Sequence, residues 1–306
     1  MDFRNLEDYI IEIDNERNIT KAAARLGISQ SALNQQLLKL EKELGTPLFI
    51  RSRGALRPTP AGRIYLDGAR QIRLVRTDTA RKIQDAIHTS RHQLKIGLNA
   101  GRFVYMFTEI YPELHRQYPE MDFRPVEMSL LYLQPAIADG TIDLGFVTIT
   151  EDAKAEGTYE KIREEELVVL IPSDDPVCRE VVISGLHPRF PEIDLRLLKD
   201  REFVLMLQNT VTGSLVSKCF ESAGFMPKTV METTYSSDIP ALARSFRCCG
   251  IVNEYAFTSV PEGYRAFSLT NHPRWDFCII YRSNAYLTEP ARSLIRLVKE
   301  RWGAGA

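Results

Sequence analysis

The spacing of apolar residues near the start of the chain predicts a run of short amphipathic helices. Over residues 3–16 the apolar positions recur every three or four residues, and the remaining positions are largely acidic. Thr20 is expected to cap a second, alanine-rich helix, which Gly27 ends by adopting a left-handed conformation. Ser29 is expected to cap a third helix. The leucines that share one face of this third helix are Leu33, Leu37 and Leu40.

The opposite face of the third helix carries small or amide-bearing side chains, which can hydrogen-bond base edges in a DNA major groove. A hairpin wing with two arginines is predicted behind this helix. The residues that this pattern predicts to contact DNA are Ser31, Asn34, Gln35, Lys39, Arg51 and Arg53. Two helices joined by a glycine turn also occur in proteins that never bind DNA, so the pattern alone leaves both interpretations open.

Local charge favours the DNA interpretation. The whole chain of 306 residues has a formal net charge of only -1, which by itself gives no argument for nucleic acid. Between residues 20 and 63, however, eight basic side chains accompany two acidic ones, a local net charge of +6. Such an excess is what a phosphate-contacting surface requires.

A long helix is predicted from residue 63 to about His88. Its proposed seam repeats at alternating spacings of four and three, the heptad pattern of two paired helices. The seam residues are Tyr65, Ala69, Ile72, Arg76, Thr79, Ile83 and Ala86. A single surface helix would show a similar spacing, but a module that binds a palindromic DNA site needs two symmetric copies, which favours pairing.

From Gln93 onward, short apolar strands alternate with helical stretches, which predicts an α/β fold with a mainly parallel sheet. Among the predicted elements are the strand Leu167–Ile171 and the helices Leu130–Ala138, Ile239–Phe246 and Glu289–Trp302. The arrangement resembles the two-lobed effector domains that are similar to periplasmic binding proteins. Lobe I is expected over about 91–162 and 268–306, and lobe II over about 163–267. The Arg179–Glu192 stretch has no assigned role.

Ligands bind outside the carboxyl ends of strands in open α/β sheets, which locates a predicted effector cleft. Its predicted residues are Asn99, Ala100, Arg102, Ser129, Thr148, Gln208 and Asn209. Free amides at helix N-termini favour an anionic ligand, so a small carboxylate is the expected effector. Any one of these side chains could instead be only a helix cap.

Other functional classes find little support in the sequence. No apolar run approaches the roughly 18 residues of a membrane span and no export signal is evident, so we expect a cytoplasmic protein with no membrane partner. Catalytic motifs and metal-ligand spacings are not found, which predicts neither an enzyme nor a cofactor or metal site. The five cysteines are expected to be buried free thiols, although the Cys248–Cys249 pair keeps a redox-sensing regulator as an alternative.

The chain resembles the LysR-type transcriptional regulators over nearly its whole length. The resemblance rests on ITKAAARLGISQSAL, LEKELGTPLFIR and PTPAG in the first part and on ADGTIDLGF and AGFMPK in the second. It implies a multidomain protein: an all-α winged helix-turn-helix DNA-binding domain at 1–62, a linker and dimerisation helix at 63–90, and an α/β effector-binding domain at 91–306. The resemblance implies that the recognition-helix positions are Ser29, Gln30, Ser31, Asn34, Gln35 and Lys39, and that Arg51 and Arg53 lie in the wing. Ser31 and the Asn34-Gln35-Gln36 run depart from the usual residues, so the operator preference is not carried over.

The implied function is a transcription regulator that binds double-stranded DNA at a palindromic operator and responds to a small effector. Its expected partners are a second copy of the chain, as a homodimer or homotetramer, and RNA polymerase if it activates. The competing hypothesis is a small-molecule receptor or enzyme whose N-terminal helices serve only oligomerisation.

Overall fold

The computed structural model describes residues 6–52, 55–87, 93–99, 101–179, 190–256 and 259–303. The chain divides into two compact units, Met1–Thr89 and Ser90–Ala306. Arg53 and Ala100, two of the predicted site residues, lie outside the described residues, as does most of the Arg179–Glu192 stretch. None of the described helices is both long enough and apolar enough to cross a membrane.

The first unit consists of helices around one apolar core, with a two-stranded hairpin at its edge. Its elements are α1 (Leu6–Glu16), α2 (Ile19–Leu26), α3 (Gln30–Leu44), β1 (Phe49–Ser52), β2 (Ala55–Pro58) and α4 (Pro60–Ala86). Ala22 and Ala23 of α2 pack into this core with Leu33, Leu37 and Leu40 of α3, as the apolar pattern predicts. The predicted winged helix-turn-helix is therefore confirmed.

The caps of these helices follow the sequence with one exception. The Ser29 hydroxyl accepts a hydrogen bond from the Ala32 backbone N–H at 3.1 Å, and Gly27 is left-handed with φ +66°, both as predicted. The prediction that Thr20 caps α2 is wrong. Asn18 is the cap, because its side-chain oxygen accepts from the backbone N–H groups of Thr20 and Lys21, which leaves Thr20 inside the first turn.

The predicted seam of α4 is only partly available to a second helix. Ala69 is buried in the core of the first unit and Tyr65 packs against that core, while Arg76 forms an ion pair with Asp8 of α1. Tyr65, Ala69 and Arg76 of the predicted seam are thus occupied by contacts within the unit, whereas Ile72 is not. The large apolar side chains that α4 leaves exposed are Ile64, Ile72, Val75 and Ile83.

The second unit is an α/β structure. Its first part contains β3 (Gln93–Leu98), α5 (Gly101–Gln117), β4 (Asp122–Glu127), α6 (Leu130–Ala138), β5 (Leu144–Ile149) and β6 (Thr158–Pro172). Its middle part contains β7 (Glu192–Ile193), β8 (Glu202–Met206), α7 (Val211–Ala223), β9 (Lys228–Thr233), α8 (Ile239–Phe246) and β10 (Cys249–Asn253). It ends with β11 (Tyr264–Leu269), β12 (Arg274–Tyr281) and α9 (Glu289–Trp302).

Its sheet runs in the order β4-β3-β5-β12-β6-β10-β8-β9, with β11 paired to β6 and β7. The outer strands pair in parallel, but β12 and β6 pair antiparallel with their neighbours. The sheet is therefore mixed: the parallel strands of each part are joined through β12 and β6, which run antiparallel to their neighbours.

Strand β6 belongs to both lobes. Its residues 158–166 pair with β12, and its residues 167–172 pair with β10 and β11. Helix α9 packs with α5 in one hydrophobic core, so the last segments lie with the first part of this unit. The carboxyl ends of β3, β4 and β5 therefore belong to one lobe, and those of β8 and β9 to the other.

Candidate functional site

The first candidate surface is the outward face of α3. Three leucines hold the helix against the core, and the opposite side exposes Ser31, Gln35 and Lys39. Asn34 is only half-buried at the edge of this face. The Ser29 and Ser31 hydroxyls lie 3.0 Å apart at its N-terminus. The structure thus brings most of the predicted DNA-contacting residues of α3 onto one exposed surface.

The hairpin of β1 and β2 forms the predicted wing beside α3. Arg51 stands opposite Leu56 in the strand register, and its side chain, like all of Arg53, lies outside what the structure describes. The Glu41 carboxylate of α3 accepts hydrogen bonds from the backbone N–H groups of Leu48 at 2.7 Å and Phe49 at 3.2 Å. This carboxylate therefore fixes the wing to α3 and is not a free acidic group on the DNA-facing surface.

Ion pairs inside the first unit change the net charge of this surface from the value obtained by counting charged residues in the sequence. Arg25 pairs with Glu16 at 3.0 Å and with Glu12 at 2.9 Å, so its charge is offset by α1. Asp14 of α1 pairs with Arg70 at 2.6 Å in the same manner. The acidic residues of α1 neutralise neighbouring arginines. Besides Arg25, the basic side chains between residues 20 and 63 that the structure describes as exposed are Lys21, Lys39, Lys42, Arg57 and Arg63.

The second candidate site lies at the carboxyl ends of the strands in the second unit. In lobe I, the Asn99 backbone N–H donates to the Phe146 carbonyl at 3.0 Å, Ser129 precedes α6 and is exposed, and Thr148 is buried. The Ser129 side chain makes no hydrogen bond to the first turn of α6. Its hydroxyl and the first amides of α6 therefore remain candidates for binding a ligand.

In lobe II, Gln208 and Asn209 are exposed in the turn between β8 and α7. Thr210 caps α7 by accepting from the Gly213 N–H at 3.0 Å. A Cβ atom at Gly213 would lie 2.0 Å from the Leu207 carbonyl oxygen, so only glycine allows the helix to start this close to the strand. This close approach holds the backbone of the turn that carries the predicted ligand-binding side chains.

Two contacts span the lobes around these residues. Lys218 of α7 lies 3.1 Å from the Asp152 carboxylate of lobe I. The ring of Tyr235, which follows β9, lies so close to Gly101 that a Cβ atom there would be 3.4 Å from the ring. Tyr235 was not predicted as a site residue, although it follows the carboxyl end of a strand as the predicted residues do.

Arg102 does not face solvent freely, since its guanidinium is bound inside lobe I. It lies 2.9 and 2.8 Å from the two carboxylate oxygens of Glu165 and donates to the Thr148 hydroxyl at 3.0 Å. Glu165 is fully buried and also accepts from Arg163 at 2.9 Å and from the Trp275 indole N–H at 3.0 Å. Two of the predicted effector residues, Arg102 and Thr148, are thus hydrogen-bonded to each other, and Arg102 is also held by a carboxylate that the sequence did not identify.

The charge of Glu165 is maintained by these partners. Burial by itself raises the pKa of a carboxyl group, but Arg102, Arg163 and the Trp275 N–H outweigh it, so the pKa of Glu165 lies below its usual value. Glu164, Glu165 and Glu166 form an acidic run that would ordinarily indicate a solvated segment. A strand places alternate side chains on opposite faces, so three successive acidic residues in a strand could have signalled that at least one is internal.

The cysteines are all buried and free, as predicted. Cys248 and Cys249 point into different apolar clusters, because consecutive residues near the start of β10 face opposite sides of the sheet. Burial raises the pKa of Cys249 to about 12 and also raises the pKa of Cys248, so neither forms a reactive thiolate near neutral pH. Among the described residues, no group of three or more His, Cys, Asp or Glu side chains is placed to hold a metal ion.

Both parts of the chain match known sequence families. Residues 5–63 match the bacterial regulatory helix-turn-helix proteins of the lysR family, and residues 88–303 match the LysR substrate binding domain. The chain is 26% identical to the uncharacterized HTH-type transcriptional regulator YcgK of Bacillus subtilis (strain 168), over 98% of this chain and 94% of that protein. It is 32% identical to the probable cat1 operon transcriptional activator of Acinetobacter lwoffii, over 61% of each chain.

Solved structures show the same fold. Full-length OxyR from Pseudomonas aeruginosa superposes with a TM-score of 0.62 at 20% identity, over 100% of this chain and 99% of that one. At this identity the likeness concerns the fold alone and carries no information about what the cleft binds.

Proposed function

The chain belongs to the LysR family of transcriptional regulators, and we propose that it binds a palindromic operator as a dimer or tetramer under the control of a small carboxylate effector. Within this family the two parts of the chain serve DNA binding and effector binding. Neither an enzyme, an isolated receptor nor a cysteine-based sensor is favoured. The domain boundaries proposed for this division are 1–62, 63–90 and 91–306. RNA polymerase is a further partner if the outcome is activation.

The exposed polar face of α3 is the observation that carries the DNA-binding part of this proposal. Ser31 and Gln35 are held outward by the buried leucines behind them, and Lys39 follows one turn later. Amide side chains can discriminate between base edges, whereas contacts to phosphates position the protein without reading the sequence. We therefore assign recognition to α3 and positioning to the wing, including Arg51 and Arg53.

Charge in lobe I supports an anionic effector. Arg102 and Arg163 share the one carboxylate of Glu165, so this buried group keeps an excess positive charge. Free amides at the N-termini of α6 and α7 add to the positive potential at the strand ends. A carboxylate would bind between Asn99, Ser129 and Thr148 on one side and Gln208 and Asn209 on the other. Arg102 would act mainly through its charge, because Glu165 and Thr148 already engage it.

A fluorescence-anisotropy titration of the full-length protein with the DNA directly upstream of its own gene tests the DNA assignment. The logarithm of the binding constant should fall linearly with the logarithm of salt concentration. Gln35→Ala should cost about 1–3 kcal/mol on the preferred site and little on unrelated DNA, whereas Arg51→Ala should weaken both alike. Gln117→Ala, on an exposed position of α5, serves as the control. Binding that does not depend on salt would contradict the proposal.

A thermal-shift screen of small aliphatic and aromatic carboxylates tests the effector assignment. A ligand present at 100 times its dissociation constant should stabilise the protein by about 2.7 kcal/mol. Ser129→Ala and Asn209→Ala should reduce that stabilisation without lowering the melting temperature of the free protein, since both side chains are exposed. The same ligand should also change the affinity of the protein for its operator, because an effector acts only by binding one conformation of the protein better than another. A hit whose shift survives both substitutions would place the effector elsewhere.

A further inference from the structure

The DNA-facing side of α3 carries a leucine among its polar and basic residues. Leu38 is 55% exposed, whereas Leu33, Leu37 and Leu40 of the same helix are buried. Leu38 is not part of the apolar core of the first unit, nor does it pack against its edge. Exposed single leucines are common on protein surfaces, so the position of this one on the helix matters more than its exposure.

Helical geometry places Leu38 on the outward face of α3. Residues three and four apart lie on the same side of a helix, so Leu38 follows Gln35 and precedes Lys42 along one line. Gln35 and Lys42 are both exposed. The polar side chain expected to contact base edges therefore lies on one side of Leu38, and a lysine suited to phosphate lies on the other. When α3 enters a groove, Leu38 enters with it.

The major groove offers few partners for an aliphatic side chain. Base edges there carry hydrogen-bond donors and acceptors, and covering these with a leucine costs free energy because they lose water without gaining a partner. The C5-methyl group of thymine is the apolar feature of this groove. A leucine against that methyl removes apolar surface from water on both sides.

We propose that Leu38 is a specificity-determining residue that recognises a thymine in each operator half-site through its C5-methyl group. The inference rests on the proposed insertion of α3 into the major groove. It adds an apolar contact to the hydrogen-bonding contacts assigned to Ser31, Asn34 and Gln35. An operator that carries cytosine or a purine at the contacted position would lose this contact.

Removing the methyl groups from the DNA tests this contact directly. The upstream fragment is amplified once with thymidine triphosphate and once with deoxyuridine triphosphate, which gives the same sequence without C5-methyl groups. Full-length wild-type protein and Leu38→Ala are titrated against both fragments. The wild type should bind the thymine DNA more tightly than the uracil DNA. The ratio of its affinity for thymine DNA to its affinity for uracil DNA should exceed the same ratio for Leu38→Ala by about fourfold for each contact, which is the effect of burying one methyl group. Methyl contacts made by other residues remain in both proteins and cancel in the comparison.

Two substitutions on the same helix serve as controls. Leu44→Ala removes a leucine that is 47% exposed at the end of α3, and should leave both affinities unchanged. Lys42→Ala should weaken binding to both fragments equally and keep the wild-type ratio, because phosphates are the same in the two DNAs. Since Leu38 is exposed, Leu38→Ala should keep the wild-type melting temperature.

Each other outcome overturns the proposal in a recognisable way. If Leu38→Ala retains the wild-type ratio, Leu38 does not contact a thymine methyl. If Leu38→Ala weakens binding to both fragments equally, the leucine contacts the sugar-phosphate backbone. If the wild type binds neither fragment, DNA binding at this site itself fails, and the recognition by Leu38 fails with it.

Discussion

Glu165 and Glu166, neighbours in β6, have different surroundings although both are buried. Glu165 lies among Arg102, Arg163 and Trp275 on one face of the strand. Glu166 faces the other way and lies 3.6 Å from the Arg274 guanidinium. Both carboxylates are therefore compensated, but only Glu165 is connected to the predicted effector residues. Its ion pairs set the position of Arg102 and, through it, of Thr148.

Glu165→Gln should destabilise the second unit by about 3 kcal/mol at neutral pH, because it leaves two buried guanidinium groups without their carboxylate. The pKa of Glu165 is lowered in the folded state, so its stabilisation is complete above the unfolded-state pKa of about 4.3 and is lost as the pH falls through the folded-state pKa. The difference between wild type and variant should therefore shrink below about pH 4. Urea unfolding curves at several pH values measure it.

Glu164→Gln is the matched control in the same acidic run. Glu164 is exposed and its pairs with Lys161 and Arg274 lie at the surface, where ion pairs contribute about 0–1 kcal/mol. This substitution should change stability little at any pH. Equal effects of the two substitutions would mean that burial of Glu165 is not what gives its ion pairs their strength.

At the scale of elements, the junction between the wing and α4 depends on one glycine. A Cβ atom at Gly62 would lie 2.0 Å from the Leu48 carbonyl oxygen. Thr59 caps α4 by accepting from the Gly62 N–H at 2.9 Å and donates to the Pro47 carbonyl at 2.8 Å. The PTPAG motif therefore lets the first turn of α4 pack directly on the backbone of Leu48, the residue before β1.

Gly62→Ala should destabilise the first unit by about 1–3 kcal/mol, since the methyl group has to displace backbone. Gly68→Ala, in the same helix, has no atom within 4 Å of the added Cβ and should instead stabilise the helix by up to about 1 kcal/mol. Circular dichroism during thermal unfolding compares the two. The same sign of effect for both variants would contradict the role given to the contact with Leu48.

The pattern of apolar residues predicted whole elements better than their ends or their partners. Helices α6, α8 and α9 begin and end where the apolar spacing placed them. The cap of α2 was misassigned because Asn18 and Thr20 both suit a cap, and only the backbone conformation decides between them. In β6 only Leu167–Ile171 was identified, since the first half of the strand is mostly polar where it pairs with β12.

Among the site residues, those on α3 could be predicted because one helix fixes their relation to each other. The connection of Arg102 to Glu165 could not, because it joins residues 63 positions apart and depends on the packing of three elements. Strand β11 was missed as well. Its pairing with β6 is set by a crossover, and no feature of its own short sequence indicates that crossover.

At the scale of the whole molecule, self-association is expected to involve the exposed apolar side of α4. Val75 is 67% exposed and lies on the same side as Ile64, Ile72 and Ile83. Val75→Glu should weaken dimer formation by at least tenfold, because a charge would be buried in an apolar seam. Analytical ultracentrifugation over a range of concentrations measures it.

Ala80→Glu is the control for that experiment. Ala80 is exposed but lies about 140° around α4 from Val75. A charge there should leave the association constant unchanged and should not alter the salt dependence of DNA binding. If both substitutions weaken association alike, the seam is broader than the exposed apolar side.

The continuity of β6 through both lobes has a mechanical consequence. The strand runs unbroken from residue 158 to residue 172 and is hydrogen-bonded to neighbouring strands along its length. Two lobes that share such a strand are joined by a continuous hydrogen-bonded element rather than by a flexible linker. Paired strands are twisted, and the twist of β6 sets the angle between the elements paired to its two halves. We therefore expect an effector that draws the lobes together to turn them against each other about β6.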